Sequence, residues 1–116
     1  MRTARYAILH HTGVAEPHYD VMVETTTGGP LLTWRSPVWP IVAPVLLDEL
    51  PPHRSDYLTY EGPVSNDRGH VSRVAGGTCQ VTRLNEQQSI IRFSPTLRLN
   101  FVMTEANGWL ALPMND

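Results

Sequence analysis

The sequence feature that most limits the fold is a hairpin signal around residue 107. The segment Leu97–Thr104 alternates apolar with polar residues, which is the pattern of a strand that buries one face. Asn107-Gly108 follows it, and this dipeptide favours the tight turn that joins two antiparallel strands. Trp109–Leu112 is therefore predicted to be the returning strand, and an antiparallel sheet is expected.

Short strand-like segments between turn residues continue through most of the sequence. They are predicted at Arg5–His10, His18–Thr25, Leu31–Ser36, His70–Val74, Thr78–Leu84 and Ser89–Phe93. Gly76-Gly77 is predicted to be a turn between two of them. One short helix is predicted at Val45–Leu50, because Pro44 suits a first helical turn and Pro51-Pro52 would end the helix. The predicted fold is all-β and mainly antiparallel: a small β-barrel of about eight strands with one short helix, or a sandwich of the same strands.

Size and charge restrict the class of protein. At 116 residues the chain is expected to form one domain, residues 1–116. All nine basic residues are arginines and eleven residues are acidic, so no overall basic field attracts nucleic acid and any such contact must be local. Cys79 is the single cysteine, which excludes an intramolecular disulfide and predicts a small buried apolar side chain. No apolar run suits a signal peptide or a membrane span, and we expect a soluble, cytoplasmic protein.

Three of the five histidines lie between residues 10 and 18. Alternate residues of a strand share a face, so His18, Asp20 and Glu24 are expected to lie opposite the valines between them. His18-x-Asp20 would then present a nitrogen and an oxygen ligand side by side, and His10 or His11 could supply a third across the loop. The pattern indicates a metal site, with a solvated His–Asp hydrogen bond as the alternative. Glu24 is a candidate hydrogen-bond partner for a metal-bound histidine.

Several short motifs follow one another between residues 5 and 80. They are His11, His18-Tyr19-Asp20, Leu32-Thr33-Trp34, His53-x-x-x-Tyr57, Tyr60-Glu61-Gly62, and Gly69-His70-Val71 running on to Gly77-Thr78. In this order they resemble the 3'-phosphoesterase domain of bacterial DNA ligase D, and in particular its short stand-alone relatives. The resemblance implies a β-barrel enzyme of DNA repair. Such an enzyme removes a 3'-phosphate or a 3'-terminal ribonucleotide with a divalent metal, typically Mn²⁺.

The resemblance also implies roles for particular residues. The family's metal ligands correspond to His11, His18 and Asp20. His10, which precedes His11 directly, is an alternative to it as the first ligand. The family's histidine and tyrosine at the scissile phosphate correspond to His53 and Tyr57, which lie four residues apart and would meet on one helical turn. The implied partner is a DNA 3' end, with a separate repair ligase or polymerase as a further candidate. We expect a monomer that contacts no membrane.

Two cations of that family have no counterpart at their usual positions. The family's arginine two residues after the aspartate is Met22 here, and the family's lysine is missing because the chain has no lysine. The candidates to bind the phosphate instead are Arg35, Arg54, Arg68 and Arg73. One alternative is therefore a catalytically impaired, metal-containing module that binds DNA ends or a partner protein. Another is a non-haem iron oxygenase that uses His18, Asp20 and a distant histidine, His53 or His70.

Overall fold

The computed structural model describes residues 1–115, and strands make up most of it. One 3₁₀ turn, Ser55–Leu58, interrupts them. Within the described residues, no helix has the length and apolar content needed to cross a membrane. The strands are β1 Arg2–Thr12, β2 His18–Glu24, β3 Leu31–Ser36, β4 Val45–His53, β5 Gly62–Pro63, β6 His70–Asn85, β7 Gln88–Ser94, β8 Leu97–Glu105 and β9 Gly108–Pro113.

Antiparallel pairing closes these strands into a barrel. The strand order is β1-β2-β3-β4-β9-β8-β7-β6-β5. A further pairing between β1 and β6 closes eight of the strands and leaves the two-residue β5 outside. The predicted hairpin is present, since Asn107 has a φ of 61° and Glu105 of β8 pairs with Gly108 of β9. The prediction of a small antiparallel β-barrel is confirmed.

The predicted helix at Val45–Leu50 is wrong, because these residues belong to β4. This strand pairs with β3 on one side and with β9 on the other, so its backbone groups are used within the sheet. Pro51 and Pro52 lie opposite Leu32 at a shift in the register between β4 and β3. A bulge tolerates residues that lack a backbone N–H. The two prolines therefore interrupt a sheet ladder and do not end a helix.

The predicted turn at Gly76-Gly77 is also wrong. β6 continues through both glycines, which pair with Ala7 and Tyr6 of β1. A nearby shift in the register and a φ of 135° at Gly77 bend the strand, and glycine permits such a bend in a barrel. Two predicted strands are thus one strand, while the predicted helix is a strand. The two errors offset each other, so the barrel has eight strands as predicted, and β5 is an additional strand outside it.

Apolar residues pack on both sides of the barrel wall formed by β1, β2 and β3. Inside the barrel, the buried Trp34 stacks on Phe101 with ring centroids 4.4 Å apart. Outside it, a smaller cluster forms around Met22 and Leu58 and also contains Ala7, Leu9, Leu31 and Val71. Leu58 lies in the 3₁₀ turn, so this cluster holds the turn against the outer face of the barrel. The face of β2 that carries His18 and Asp20 is consequently covered as well.

Cys79 lies inside the barrel and is 2% exposed. Burial raises the pKa of its thiol to about 11. The prediction of a buried small apolar residue is confirmed, and the thiol is too rarely ionised to act as a nucleophile.

Glu24 shares the metal-facing side of β2 but binds elsewhere. Its carboxylate accepts hydrogen bonds from the backbone N–H groups of Arg5 and Gly28, and from the Arg5 guanidinium at 2.7 Å. These bonds, chiefly the one from the guanidinium, lower the pKa of Glu24 to about 2. The hypothesis that Glu24 supports a metal-bound histidine is therefore wrong. Glu24 instead ties β1 to the turn between β2 and β3.

Replacing Glu24 with glutamine should lower the thermal midpoint by roughly 5 °C at neutral pH, because the charged bonds with Arg5 are lost. The pKa of Glu24 lies below its ordinary value of 4.5 in the folded protein. Its ionised form therefore stabilises the fold fully above that value, and the contribution disappears as the pH falls towards 2. Thermal melts at neutral pH should show a lower midpoint for Glu24→Gln than for the wild type, and this difference should disappear near pH 2. Glu86→Gln, at an exposed carboxylate, is the control, and a difference that persists in acid would contradict the assignment.

Candidate metal centre

The sequence-predicted metal ligands line a cleft on the outside of the barrel. The cleft has a volume of about 270 Å³ and lies between the strands β1 to β4, the start of β6 and the segment 57–68. We call it the metal cleft. It is lined by Leu9, His11, His18, Asp20, Arg35, Leu50, His53, Tyr57, Val64, Arg68 and Val71.

The register between β1 and β2 brings the three candidate ligands together. His11 pairs with His18, and Leu9 pairs with Asp20, so the three polar side chains leave the same face of neighbouring strands. His10 lies at the intervening position and stacks on Tyr19 with ring centroids 4.5 Å apart. The structure therefore brings His11, and not His10, to the metal cleft.

Three potential ligand atoms converge in this cleft. His18 Nε2 lies 3.2 Å from Asp20 Oδ1, and His11 Nδ1 lies 3.8 Å from Asp20 Oδ2. One ligand atom from each residue lies within 4.8 Å of the other two. His18 and Asp20 are buried, at 7% and 3% exposure. The set of two imidazoles and one carboxylate suits a divalent transition metal and leaves further coordination positions to water or substrate.

A backbone carbonyl group faces one nitrogen of each histidine. His11 Nε2 donates to the carbonyl of Arg68 at 2.6 Å, and His18 Nδ1 donates to the carbonyl of Glu16 at 3.0 Å. A carbonyl oxygen only accepts, so the other nitrogen of each neutral imidazole has a free lone pair directed at Asp20. Asp20 Oδ1 is buried and has no hydrogen-bond partner within residues 1–115. In these neutral tautomers three acceptors face one another, and a cation would satisfy all three.

Arg35 contributes the cation nearest to these ligands. It pairs with Asp20 across β2 and β3, and its Nη2 lies 3.0 Å from His18 Nδ1. The Glu16 carbonyl also faces that nitrogen and needs it protonated, whereas the guanidinium needs its lone pair. In the tautomer that binds a metal through Nε2, Nδ1 carries the proton and donates to Glu16, so the guanidinium is left for another acceptor. The Arg35 side chain has no carboxylate partner among the described residues. It therefore remains available to an anion in the metal cleft.

His53 and Tyr57 reach the same cleft from the opposite side. His53 is the last residue of β4 and Tyr57 lies in the 3₁₀ turn, with ring centroids 5.4 Å apart. The two rings meet, although across a strand end and not along one helix. His53 Nδ1 donates to the carbonyl of Pro51 at 3.1 Å, so Nε2 is the nitrogen that can exchange a proton with a bound molecule.

The four candidate arginines lie in three different places. Arg35 and Arg68 line the metal cleft, where the Arg68 guanidinium donates to the carbonyl and hydroxyl oxygens of Ser65. Arg54 lies in a neighbouring groove. Arg73 does not line the cleft, and a Cβ atom placed on Gly76 would overlap its guanidinium.

His70, the other candidate ligand for an iron oxygenase, is exposed and does not line the metal cleft. The features that sequence reasoning missed are the carbonyl groups of Glu16 and Arg68 and the apolar wall of Leu50 and Val64. No side-chain pattern signals a backbone carbonyl, and the wall depends on how the segment 54–69 folds over the barrel.

The sequence matches no protein-family model and no curated protein.

Proposed function

We propose that this protein is a divalent-metal-dependent phosphoesterase that trims 3' ends of DNA, removing a 3'-phosphate or a 3'-terminal ribonucleotide. The observation that supports this most strongly is the convergence of three potential ligand atoms beside a guanidinium that has no carboxylate partner among the described residues. His11, His18 and Asp20 provide the ligand atoms, and Arg35 provides the guanidinium. A dication held by two neutral imidazoles and one carboxylate keeps a net positive charge, which a phosphoester requires.

The polar residues of the metal cleft have separate tasks in phosphoester hydrolysis. His11, His18 and Asp20 would hold a divalent cation, which when bound supplies Lewis acidity and lowers the pKa of a bound water. Arg35 neutralises a non-bridging phosphate oxygen through its N–H groups. Arg68, at the cleft rim, adds a second positive charge.

His53 is the proton donor in this proposal. The oxygen of a water forms a bond to phosphorus while the bond from phosphorus to the 3' oxygen of the sugar breaks. Protonated His53 gives its Nε2 proton to that leaving oxygen, so that a 3'-hydroxyl and a free phosphate result. Tyr57, whose ring packs against His53, orients the imidazole.

The absence of the family's arginine at position 22 is compatible with this mechanism. Met22 is fully buried beneath Leu58 in the outer apolar cluster, where it supports the turn that holds Tyr57. Arg35 lies on the adjacent strand opposite Asp20, so a guanidinium can still reach the phosphate from β3. DNA 3' ends are proposed as the substrate on the strength of the motif resemblance.

A primer–template with a 3'-terminal phosphate, incubated with the protein and Mn²⁺, tests the proposal. We expect conversion to a 3'-hydroxyl that stops on chelation of the metal and is absent in His18→Ala. A wild-type protein that binds Mn²⁺ and the DNA end but converts neither a 3'-phosphate nor a 3'-terminal ribonucleotide would contradict it. That outcome would support an end-binding module.

Replacing Arg35 with glutamine should reduce kcat/KM on the order of 100-fold, because one charged donor to the phosphate is lost. Mn²⁺ affinity should not fall, since Arg35 is not among the three converging ligand residues and its loss removes a positive charge beside the cation site. Arg35→Lys should recover part of the rate, because lysine supplies the charge without the bidentate geometry. Steady-state kinetics and an Mn²⁺ titration check this, with Arg83→Gln at the far end of the barrel as the control. A loss of Mn²⁺ binding in Arg35→Gln would contradict the assignment.

A further inference from the structure

A second groove continues directly from the metal cleft. It has a volume of about 410 Å³ and shares Tyr57 and Val64 with that cleft. Its remaining lining residues include Arg54, Asp56 and Tyr60. We call it the Tyr60 groove. A molecule whose phosphate lies in the metal cleft can extend past Tyr57 into this groove without crossing the barrel.

Tyr60 presents a fixed aromatic surface in this groove. The Tyr60 and Tyr57 rings form a T-shaped pair with centroids 5.5 Å apart, and the Tyr60 hydroxyl donates to the carbonyl of Pro63. Gly62 has a φ of 136°, and a Cβ atom there would lie 3.2 Å from the Tyr60 hydroxyl. The ring is thus held by Tyr57 and at its hydroxyl tip, while 36% of the residue remains exposed. An exposed ring that is already ordered loses little entropy when a planar group stacks on it.

Arg54 places a cation in the same groove. Its side chain is exposed and makes no hydrogen bond or ion pair with any other part of residues 1–115. Asp56 lies on the same groove, and its carboxylate disfavours a phosphate on that side. A phosphate in the groove is therefore best placed beside Arg54, and an uncharged planar group beside Tyr60. An aromatic surface next to a guanidinium is the arrangement that binds single-stranded nucleic acid.

We infer that the Tyr60 groove binds the terminal nucleoside of the substrate strand. The base stacks on Tyr60, and Arg54 binds the phosphate on the 5' side of that nucleoside. This inference rests on the proposed function and makes it more specific: the preferred substrate is a 3' end with an accessible terminal base and a phosphate on the 5' side of that nucleoside, over a phosphomonoester that lacks them. The groove contacts the π-face of the terminal base and the charge of the phosphate, which all nucleotides share, so it accepts any of the bases.

Two oligonucleotides with a 3'-phosphate, identical except that one ends in an abasic residue, test the role of Tyr60. The wild type should prefer the end that has a base by roughly tenfold in kcat/KM. Tyr60→Ala should lose this preference and Tyr60→Phe should keep it, because phenylalanine retains the ring. Equal kcat/KM for the two ends in the wild type, or an unchanged preference in Tyr60→Ala, would overturn the inference.

Arg54 is tested separately with thymidine 3'-phosphate and thymidine 3',5'-bisphosphate. The additional 5'-phosphate should raise kcat/KM roughly tenfold in the wild type and in Arg83→Gln, but not in Arg54→Gln. A 5'-phosphate effect that survives in Arg54→Gln would overturn the role of Arg54.

Failure of the proposed function gives a different result. If the wild type turns over none of these substrates, the proposed function fails. Fluorescence anisotropy of the same two oligonucleotides, labelled and with Mn²⁺ present, then tests whether the Tyr60 groove binds the terminal nucleoside. Tighter binding of the end with a base, lost in Tyr60→Ala, would support the groove as a binding site. Equal binding of both ends would overturn it.

Discussion

Asp20→Asn is expected to abolish Mn²⁺ binding and to reduce phosphoester hydrolysis on the order of 1,000-fold or more, since a metal ion contributes several kcal/mol to catalysis. The same substitution should raise the stability of the metal-free protein by on the order of 1 kcal/mol. The reason is geometric. Asp20 Oδ1 lies 3.2 Å from His18 Nε2 and has no hydrogen-bond partner in residues 1–115. An asparagine amide can donate to that nitrogen and so replace a contact between two acceptors with a hydrogen bond.

Thermal melts with and without Mn²⁺ check this prediction. The wild type should gain stability from Mn²⁺ by mass action, and Asp20→Asn should not. Asp67→Asn, at an exposed turn carboxylate with a φ of 54°, is the matched control and should behave like the wild type. A metal-free Asp20→Asn protein that is markedly less stable than the metal-free wild type would show that Asp20 has a structural role instead.

His53→Gln is expected to slow hydrolysis of a DNA 3'-phosphate by about 100-fold to 10,000-fold. A sugar hydroxyl is a poor leaving group and needs a proton, which glutamine cannot deliver. p-Nitrophenyl phosphate releases a stable anion without protonation, so its hydrolysis should be almost unaffected by the substitution. Comparison of the two substrates separates proton donation from simple positioning.

Metal binding gives the control for His53→Gln. Because His53 is not among the three converging ligand residues, Mn²⁺ affinity should equal that of the wild type. An equal loss of rate on both substrates would contradict the role of His53 as proton donor and would leave it a phosphate-binding residue.

Local sequence patterns predicted the barrel better than they predicted individual elements. The strand predicted at Leu97–Thr104 and the hairpin turn predicted at Asn107-Gly108 were confirmed. Both predictions depend only on residues that are neighbours in the chain. The helix prediction for Val45–Leu50 was wrong because the flanking prolines resemble helix ends. The strand conformation of this segment is set by its pairing with β3 and β9. The turn prediction for Gly76-Gly77 was wrong because a glycine pair is compatible with a turn and with a bend inside a strand. The pairing with β1 decides between the two.

The candidate site shows the same division between local and long-range information. Period-two alternation placed His18 and Asp20 on one face from sequence alone. It could not distinguish His10 from His11, because that depends on the register between β1 and β2. Nor could it select Arg35 from the arginines, since the pairing of Asp20 with Arg35 is a contact between strands. Proximity in the folded sheet, and not spacing in the chain, therefore decides which charges belong to the cleft.

The most direct test of the metal centre is pulsed electron paramagnetic resonance of the wild-type protein titrated with Mn²⁺. The convergence of His11 Nδ1, His18 Nε2 and the Asp20 carboxylate predicts one bound Mn²⁺ per chain, with couplings to two imidazole nitrogens. One of these couplings should disappear in His11→Ala. Mn²⁺ that binds without any imidazole coupling, or that does not bind at all, would contradict the account.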